Sequence, residues 1–117
     1  MPEINLTTNI KIDDPKALVL ELSKLVAEMT GKKESFVQAR YIYTEYQTFA
    51  GSFDPAFSLE IRDIHSSPEA SEKYSKAFSE FLTAKLGVNN NRGFVICLNP
   101  GAEHVGFMAS TIAKLLK

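Results

Sequence analysis

The chain has 117 residues, no tryptophan and a single cysteine, Cys97. One thiol excludes an intrachain disulfide and any zinc or redox site built on a cysteine pair. It also suits a reducing compartment. Neither sign of charge predominates: the net charge is −1 and the pI about 6.1. A nucleic-acid-binding face needs a basic patch, and the longest basic cluster here is Lys32-Lys33, so no nucleic-acid partner is expected. No apolar run approaches the length of a transmembrane helix, so no membrane partner is expected either. The N-terminus, Met1-Pro2-Glu3-Ile4-Asn5, lacks the basic start and apolar stretch of a secretory signal. The expected location is cytoplasmic, or outside the cell by a route without a leader. Two isolated histidines, His65 and His104, have no metal-ligating partner at the usual spacing. Both read as loop residues.

What is present is a regular alternation of elements in one expected domain, 1–117. Residues 2–9 read as a strand, because Ile4 and Leu6 alternate with Glu3, Asn5 and Thr7. Asp14 then caps a helix whose first position suits Pro15. Leu18, Leu22, Leu25, Val26 and Met29 form its apolar stripe, and Gly31 ends it. A second strand is expected over 35–46, rich in Phe, Val, Tyr and Ile. A turn follows at 48–52, and a third strand over about 56–64. Ser67-Pro68 opens the next helix in the same way. Its stripe is Tyr74, Ala77, Phe78, Phe81, Leu82 and Leu86, and Gly87 ends it. A strand over 94–98, a turn at Asn99-Pro100-Gly101, a short strand over 105–108 and a helical turn over 113–117 complete the chain.

The order is β-α-β twice, offset by 53 residues between Asp14-Pro15 and Ser67-Pro68. That pattern reads as an internal duplication. The fold class is α/β (α+β): two βαβ units in one four-stranded mixed sheet, with two helices on one face. Nothing else in the chain is available to cover the other face. Eight Phe and four Tyr exceed what a thin core readily absorbs, and exposed apolar surface commonly ends in an interface. Both points suggest an oligomer. Arg40, Tyr41 and Tyr43, together with Glu60, Arg62 and Asp63, read as strand-surface or inter-subunit residues. Cys97 reads as a small buried hydrophobe.

A set of short segments in fixed order adds to this. Met1-Pro2, Thr8-Asn9, Thr30-Gly31-Lys32, Phe49-Ala50-Gly51, Asp54-Pro55, Tyr74-Ser75-Lys76, Val105-Gly106-Phe107 and Ser110-Thr111 span the whole chain. In this order and spacing the chain resembles the macrophage migration inhibitory factor and D-dopachrome tautomerase family. The resemblance implies a homotrimer of double βαβ subunits with sites at the subunit interfaces. It implies keto–enol tautomerisation of phenylpyruvate-like aromatic 2-oxo acids or dopachromes, with no cofactor. It makes Pro2 the catalytic base once Met1 is removed, and Lys32 the ligand of the substrate carboxylate. By position it assigns Ile64, Phe94, Ile96, Val105, Phe107 and Ile112 to the substrate pocket. It also implies a second partner class, a protein receptor, since family members act as cytokine-like ligands.

Elementary chemistry agrees with the role implied for Pro2. A free N-terminal proline is a secondary amine whose ring fixes the direction of its nitrogen. An α-amino group titrates at roughly 7.7–8.0, and an apolar pocket lowers that value towards a usable neutral base. With Met1 attached the same nitrogen is an amide and cannot act. Two positions depart from the family pattern: Phe94 and Ile96 stand where well-known members have a tyrosine and an asparagine. Their side chains offer no hydrogen bond, so hydroxylated substrates are expected to lose their advantage over phenylpyruvate. The Cys-x-x-Cys of the family's vertebrate prototype is also absent, its positions falling at Ala56 and Leu59.

Overall fold

The structure, a computed structural model, describes residues 1–116. Strand β1 (Glu3–Thr8) leads into helix α1 (Pro15–Thr30) and strand β2 (Gln38–Tyr43). Strand β3 (Phe57–Arg62) leads into helix α2 (Pro68–Leu86) and strand β4 (Gly93–Leu98). The sheet order is β2-β1-β3-β4. β1 pairs parallel with β2, β3 pairs parallel with β4, and the two units join by antiparallel pairing of β1 with β3. This is the double βαβ mixed sheet expected from the sequence. The chain ends in a small hairpin, β5 (Gly106–Phe107) and β6 (Ser110–Thr111), and a four-residue helix α3 (Ile112–Leu115). The helical turn expected over 113–117 corresponds to α3, and its last residue, 117, lies outside the described residues.

Both long helices start and stop where local chemistry directs. Asp14 accepts the amide hydrogen of Ala17 at 3.1 Å, and Ser67 that of Ala70 at 3.1 Å. Each satisfies an amide that the first helical turn leaves unpaired. Pro15 and Pro68 follow the caps, and each helix ends on a glycine in the left-handed conformation.

Alternation along the strands sends Ile4, Leu6, Leu59 and Ile61 to one face, where they meet Leu18, Leu22 and Val26 of α1 and Tyr74, Phe78 and Leu82 of α2. Cys97 packs half-buried against this core. The other face has no helix. Across the middle of the sheet it is polar: Arg40 and Arg62 flank Glu3, at 3.8 and 3.7 Å, and Arg62 meets Glu60 at 2.7 Å. Asn5 donates to Glu3 at 3.0 Å. Along β4 the same face is apolar, with Phe94, Ile96 and Leu98 exposed. The mixture explains the high Phe and Tyr count, since much of it lies outside the core.

The strands are shorter than expected, except β4, which begins one residue earlier at Gly93. The second begins at Gln38 because Glu34–Phe36 is a 3-10 turn. The third ends at Arg62: the Asp63 amide still bonds the Leu98 carbonyl of β4, and the chain then turns at Ile64–His65. The strand expected over 105–108 is the first arm of the β5–β6 hairpin. Asp63, expected on the strand surface, is 1% exposed. It is buried where the end of β3 meets Leu98 of β4 and Tyr74 of α2.

Two side-chain clamps tie the long 47–56 connection to the sheet. Asn9 donates to the carbonyls of Gln47, Phe53 and Asp54, and its own carbonyl accepts from Ala56 at 2.9 Å. Arg92 donates to the carbonyls of Phe49, Ser52, Asp54 and Pro55 and lies over the Phe49 ring. Such charge-assisted bonds order a segment that has little core of its own. Next to Arg92, Gly93 lies against the backbone of β3, where a Cβ would collide with the Phe57 carbonyl and ring. Gly93→Ala is therefore expected to destabilise the chain by about 1–3 kcal/mol through overpacking, and Phe78→Ala by about 3–5 kcal/mol through a core cavity. Urea unfolding measures both. An unchanged midpoint for Gly93→Ala would mean that β4 can move off β3 at no cost.

Candidate functional site

Pro2 is fully buried at the entrance to β1. Its carbonyl accepts the Gln38 amide at 3.1 Å, which extends the β1–β2 pairing by one residue. Beside it lies a hollow of about 400 Å³, lined by Met1, Pro2, Phe36, Val37, Val105, Gly106, Phe107 and Ile112 and, on its polar side, by Glu3, Ser35 and Gln38. A second hollow of about 340 Å³ adjoins it, lined by Met1, Lys32, Phe36, Ile64, His65, Phe107, Met108, Ile112, Leu115 and Leu116. Met1, Phe36, Phe107 and Ile112 belong to both. Six of the residues singled out from the sequence thus meet around one apolar region: Pro2, Lys32, Ile64, Val105, Phe107 and Ile112. Phe94 and Ile96 do not join them within the chain. They lie on the open face of β4, two strands away from β1, and the Phe94 ring packs against Phe49 at 5.4 Å.

Phe36 was not anticipated. It sits in the 3-10 turn between Lys32 and β2 and meets Phe107 edge-on, with ring centroids 6.1 Å apart. Such a pair supplies a wall beyond simple area burial. A clue was its place four residues after Lys32, in a segment whose pattern read as strand.

Local structure aims each wall. Gly31 takes φ 71° and turns the chain out of α1, and the Lys32 amide then donates to Thr30 Oγ1 at 3.3 Å. The hairpin is closed by Ile112 donating to the Val105 carbonyl at 2.9 Å, which brings Val105, Phe107 and Ile112 together. Its two-residue turn is Met108-Ala109, both at positive φ (52° and 62°). A turn of this kind normally has Asn-Gly, since side chains resist the left-handed region. Strain of this sort concentrates at functional sites.

The Ile64–His65 wall is strapped down. Asp63 donates its amide to the Leu98 carbonyl at 2.9 Å, and its carboxylate accepts from His65 N–H at 3.3 Å. Asn99 Nδ2 donates to the Ile64 carbonyl at 3.1 Å. Behind them the Tyr74 hydroxyl is pushed to a higher pKa, first by burial and then by the neighbouring Asp63 carboxylate and Cys97. Both effects disfavour a phenolate.

Among the described residues no group of three or more His, Cys, Asp or Glu could hold a metal ion. No helix there is long and apolar enough to cross a membrane.

Fold and site define a double βαβ protein with Pro2 buried at the head of its first strand, beside a hollow that adjoins Lys32. The family model for macrophage migration inhibitory factor (MIF) matches residues 1–113, and the chain belongs to that family. It is 32% identical over 114 residues to the macrophage migration inhibitory factor homolog of Trichinella spiralis, covering 95% of this chain and 99% of that protein. It is 28% identical over 115 residues to macrophage migration inhibitory factor of Meriones unguiculatus, covering 97% and 100%. The solved structure of the factor from Trichinella spiralis matches at TM-score 0.85 and 30% identity, covering 93% of this chain and 98% of that one. A homologue from Prochlorococcus marinus shares the fold at TM-score 0.85.

Two stability predictions follow from this geometry. Ala109→Gly is expected to stabilise the chain by about 1 kcal/mol, because glycine takes a positive φ at no steric cost. A loss of stability in thermal unfolding would refute strain in the turn. A raised tyrosine pKa stabilises the fold fully below about pH 10, the unfolded value. That contribution is lost as pH rises through the folded value. Unfolding midpoints are therefore expected to fall above about pH 10, and Tyr74→Phe to flatten that fall. An equal fall in the variant would remove Tyr74 from the account.

Proposed function

We propose that the chain is a keto–enol tautomerase of phenylpyruvate-like aromatic 2-oxo acids, with the free nitrogen of Pro2 as general base. The observation that supports this best is the sharing of Met1, Phe36, Phe107 and Ile112 between the hollows of Pro2 and Lys32. Removing Met1 does two things at once on this reading. It turns the Pro2 nitrogen from an amide into a secondary amine. It also takes away a side chain that stands between that nitrogen and Lys32.

The chemistry is a proton relay. The Pro2 nitrogen takes the proton from the carbon next to the carbonyl. The electrons of that C–H bond form the new C=C bond, and the carbonyl π electrons move onto oxygen. The ammonium of Lys32 holds the carboxylate and steadies the enolate. The protonated amine then gives its proton to the enolate oxygen, which completes the enol, and the same steps in reverse ketonise it. Burial among apolar side chains favours the neutral amine, the form that accepts a proton. Ile64 and the Phe36–Phe107 pair flank the aromatic ring.

Phe94 and Ile96 enter this site from a second copy in the proposed homotrimer. Three features support that assembly: the uncovered sheet face, the exposed apolar β4 edge, and the distance of that edge from Pro2 within one chain. Family relatives carry the name of a factor acting on macrophages, so a ligand for a protein receptor is the second reading.

Intact mass and phenylpyruvate tautomerase activity on one preparation test the proposal. With Met1 absent, activity is expected, and Pro2→Gly, which keeps a terminal amine but loses the ring that fixes its position, is expected to reduce it by about a hundredfold. Lys32→Ala is expected to raise KM by about tenfold or more. Full activity in Pro2→Gly would sink the assigned base. Inactivity of the processed protein, with receptor binding retained, would favour the ligand reading.

A further inference from the structure

His65 has no role in the reaction just described, yet it lines the same hollow as Lys32. Of the side chains around that hollow only these two are polar, and the others are apolar. A carboxylate is held there by Lys32, but an aromatic 2-oxo acid has a second acceptor, the oxo oxygen. Charge builds on that oxygen when the enolate forms. The side chains of Phe94 and Ile96 cannot donate to it from any copy of the chain, because neither has a polar atom. An unsatisfied oxygen in an apolar hollow costs more than one in water.

The backbone at His65 is set before any ligand arrives. Its amide is held by the Asp63 carboxylate, and that carboxylate is buried. The preceding carbonyl, of Ile64, is held by Asn99. Ser66 N–H donates to the Asp63 carbonyl at 3.2 Å, which closes the turn. A fixed turn presents its side chain with little ordering cost. Imidazole offers an N–H donor in its neutral form as well as in its charged form. His104 has no such position: it lies in the 3-10 turn Ala102–His104 and does not line the hollow.

We propose that His65 is a second substrate-binding donor beside Lys32, and that the pair selects acids with a carboxylate and an adjacent oxo group on an apolar body. This rests on the tautomerase reading for its substrate class. It adds a residue and a selection rule: the oxo oxygen, and not the carboxylate alone, is recognised.

The test is calorimetric binding to the chain lacking Met1, so that turnover is not the readout. Phenylpyruvate is compared with 3-phenylpropionate, which keeps the ring and carboxylate and lacks the oxo group. His65→Ala is expected to weaken phenylpyruvate about tenfold, the loss of one hydrogen bond. It is expected to leave 3-phenylpropionate within about twofold of wild type. His65→Gln, which keeps a donor, recovers most of the loss, and His104→Ala changes neither ligand. Unchanged phenylpyruvate binding in His65→Ala overturns the proposal. So does an equal loss for both acids, which would make His65 a carboxylate ligand or a wall. The expected pattern without turnover would overturn the tautomerase reading alone and leave the binding role of His65 standing. No binding of either acid to the wild-type chain overturns both.

Discussion

The rest of the structure depends on β1 being hydrogen-bonded on both sides. Like β3, it belongs to its own βαβ unit by parallel pairing and meets the other unit by antiparallel pairing. A strand paired on both edges has no freedom to slip, because a shift of one residue would send Ile4 and Leu6 to the open face and Glu3 and Asn5 into the core. Pro2 is the residue just before this strand, and its carbonyl is already in the β1–β2 ladder. Its position is therefore inherited from the core. Proline suits the place, since the nitrogen that lacks a hydrogen has no ladder bond to lose. On the proposed reading Pro2 has a reactive amine at a chain terminus, a place that is ordinarily mobile. Here the terminus is tied down by the sheet.

The same register separates two kinds of surface. One face of the sheet meets α1 and α2 and is apolar but for Thr8, whose hydroxyl donates to the Ala56 carbonyl. The other has Glu3, Arg40, Glu60 and Arg62 in contact, each partly exposed. Ion pairs of this kind contribute little individually, yet a network of four charges resists burial against an apolar partner. The apolar strip of Phe94, Ile96 and Leu98 has no such restriction. Any partner of this face has to meet charge in the middle and hydrocarbon at the β4 edge. A second copy of the chain meets both demands in the proposed assembly, and brings Phe94 and Ile96 towards a hollow that one chain leaves without them.

The helices and the order of strands were legible because their signals are local. Asp14-Pro15, Ser67-Pro68 and the two terminal glycines act within a turn of the chain, so reading them needs no tertiary knowledge. Strand alternation was legible for β1 and β3, which have one wet face. It misled at Ser35–Val37, where apolar Phe36 serves the hollow in a 3-10 turn and not the sheet. The hairpin had no turn signature, because Met108-Ala109 has neither Asn nor Gly at the left-handed positions. Burial of Asp63 was illegible for a different reason. Its partners come from His65, Leu98 and the neighbourhood of Tyr74, and only the folded chain brings those segments together. Pro2 and Lys32 became readable through resemblance, since a proline after methionine and a lysine after a helix are ordinary by themselves.

Loss of two polar positions need not leave a site without donors, because donors can come from the other side of the hollow. Phe94 and Ile96 belong to β4, and their side chains face the open side of the sheet. The Ile64–His65 turn follows β3 and is fastened to the end of that same β4 through Leu98 and Asn99. The strand that has apolar residues at 94 and 96 thus also holds, by its C-terminal end, the turn that presents His65. The buried carboxylate of Asp63 makes that fastening rigid, since a carboxylate kept from water needs its hydrogen bonds. An apolar wall and a fixed donor are different solutions for different ligands. In the proposed binding mode the wall favours an unsubstituted ring, and the donor favours an oxygen near the carboxylate. Such a site reads the acid end of its ligand by hydrogen bonds and the aromatic end by shape alone.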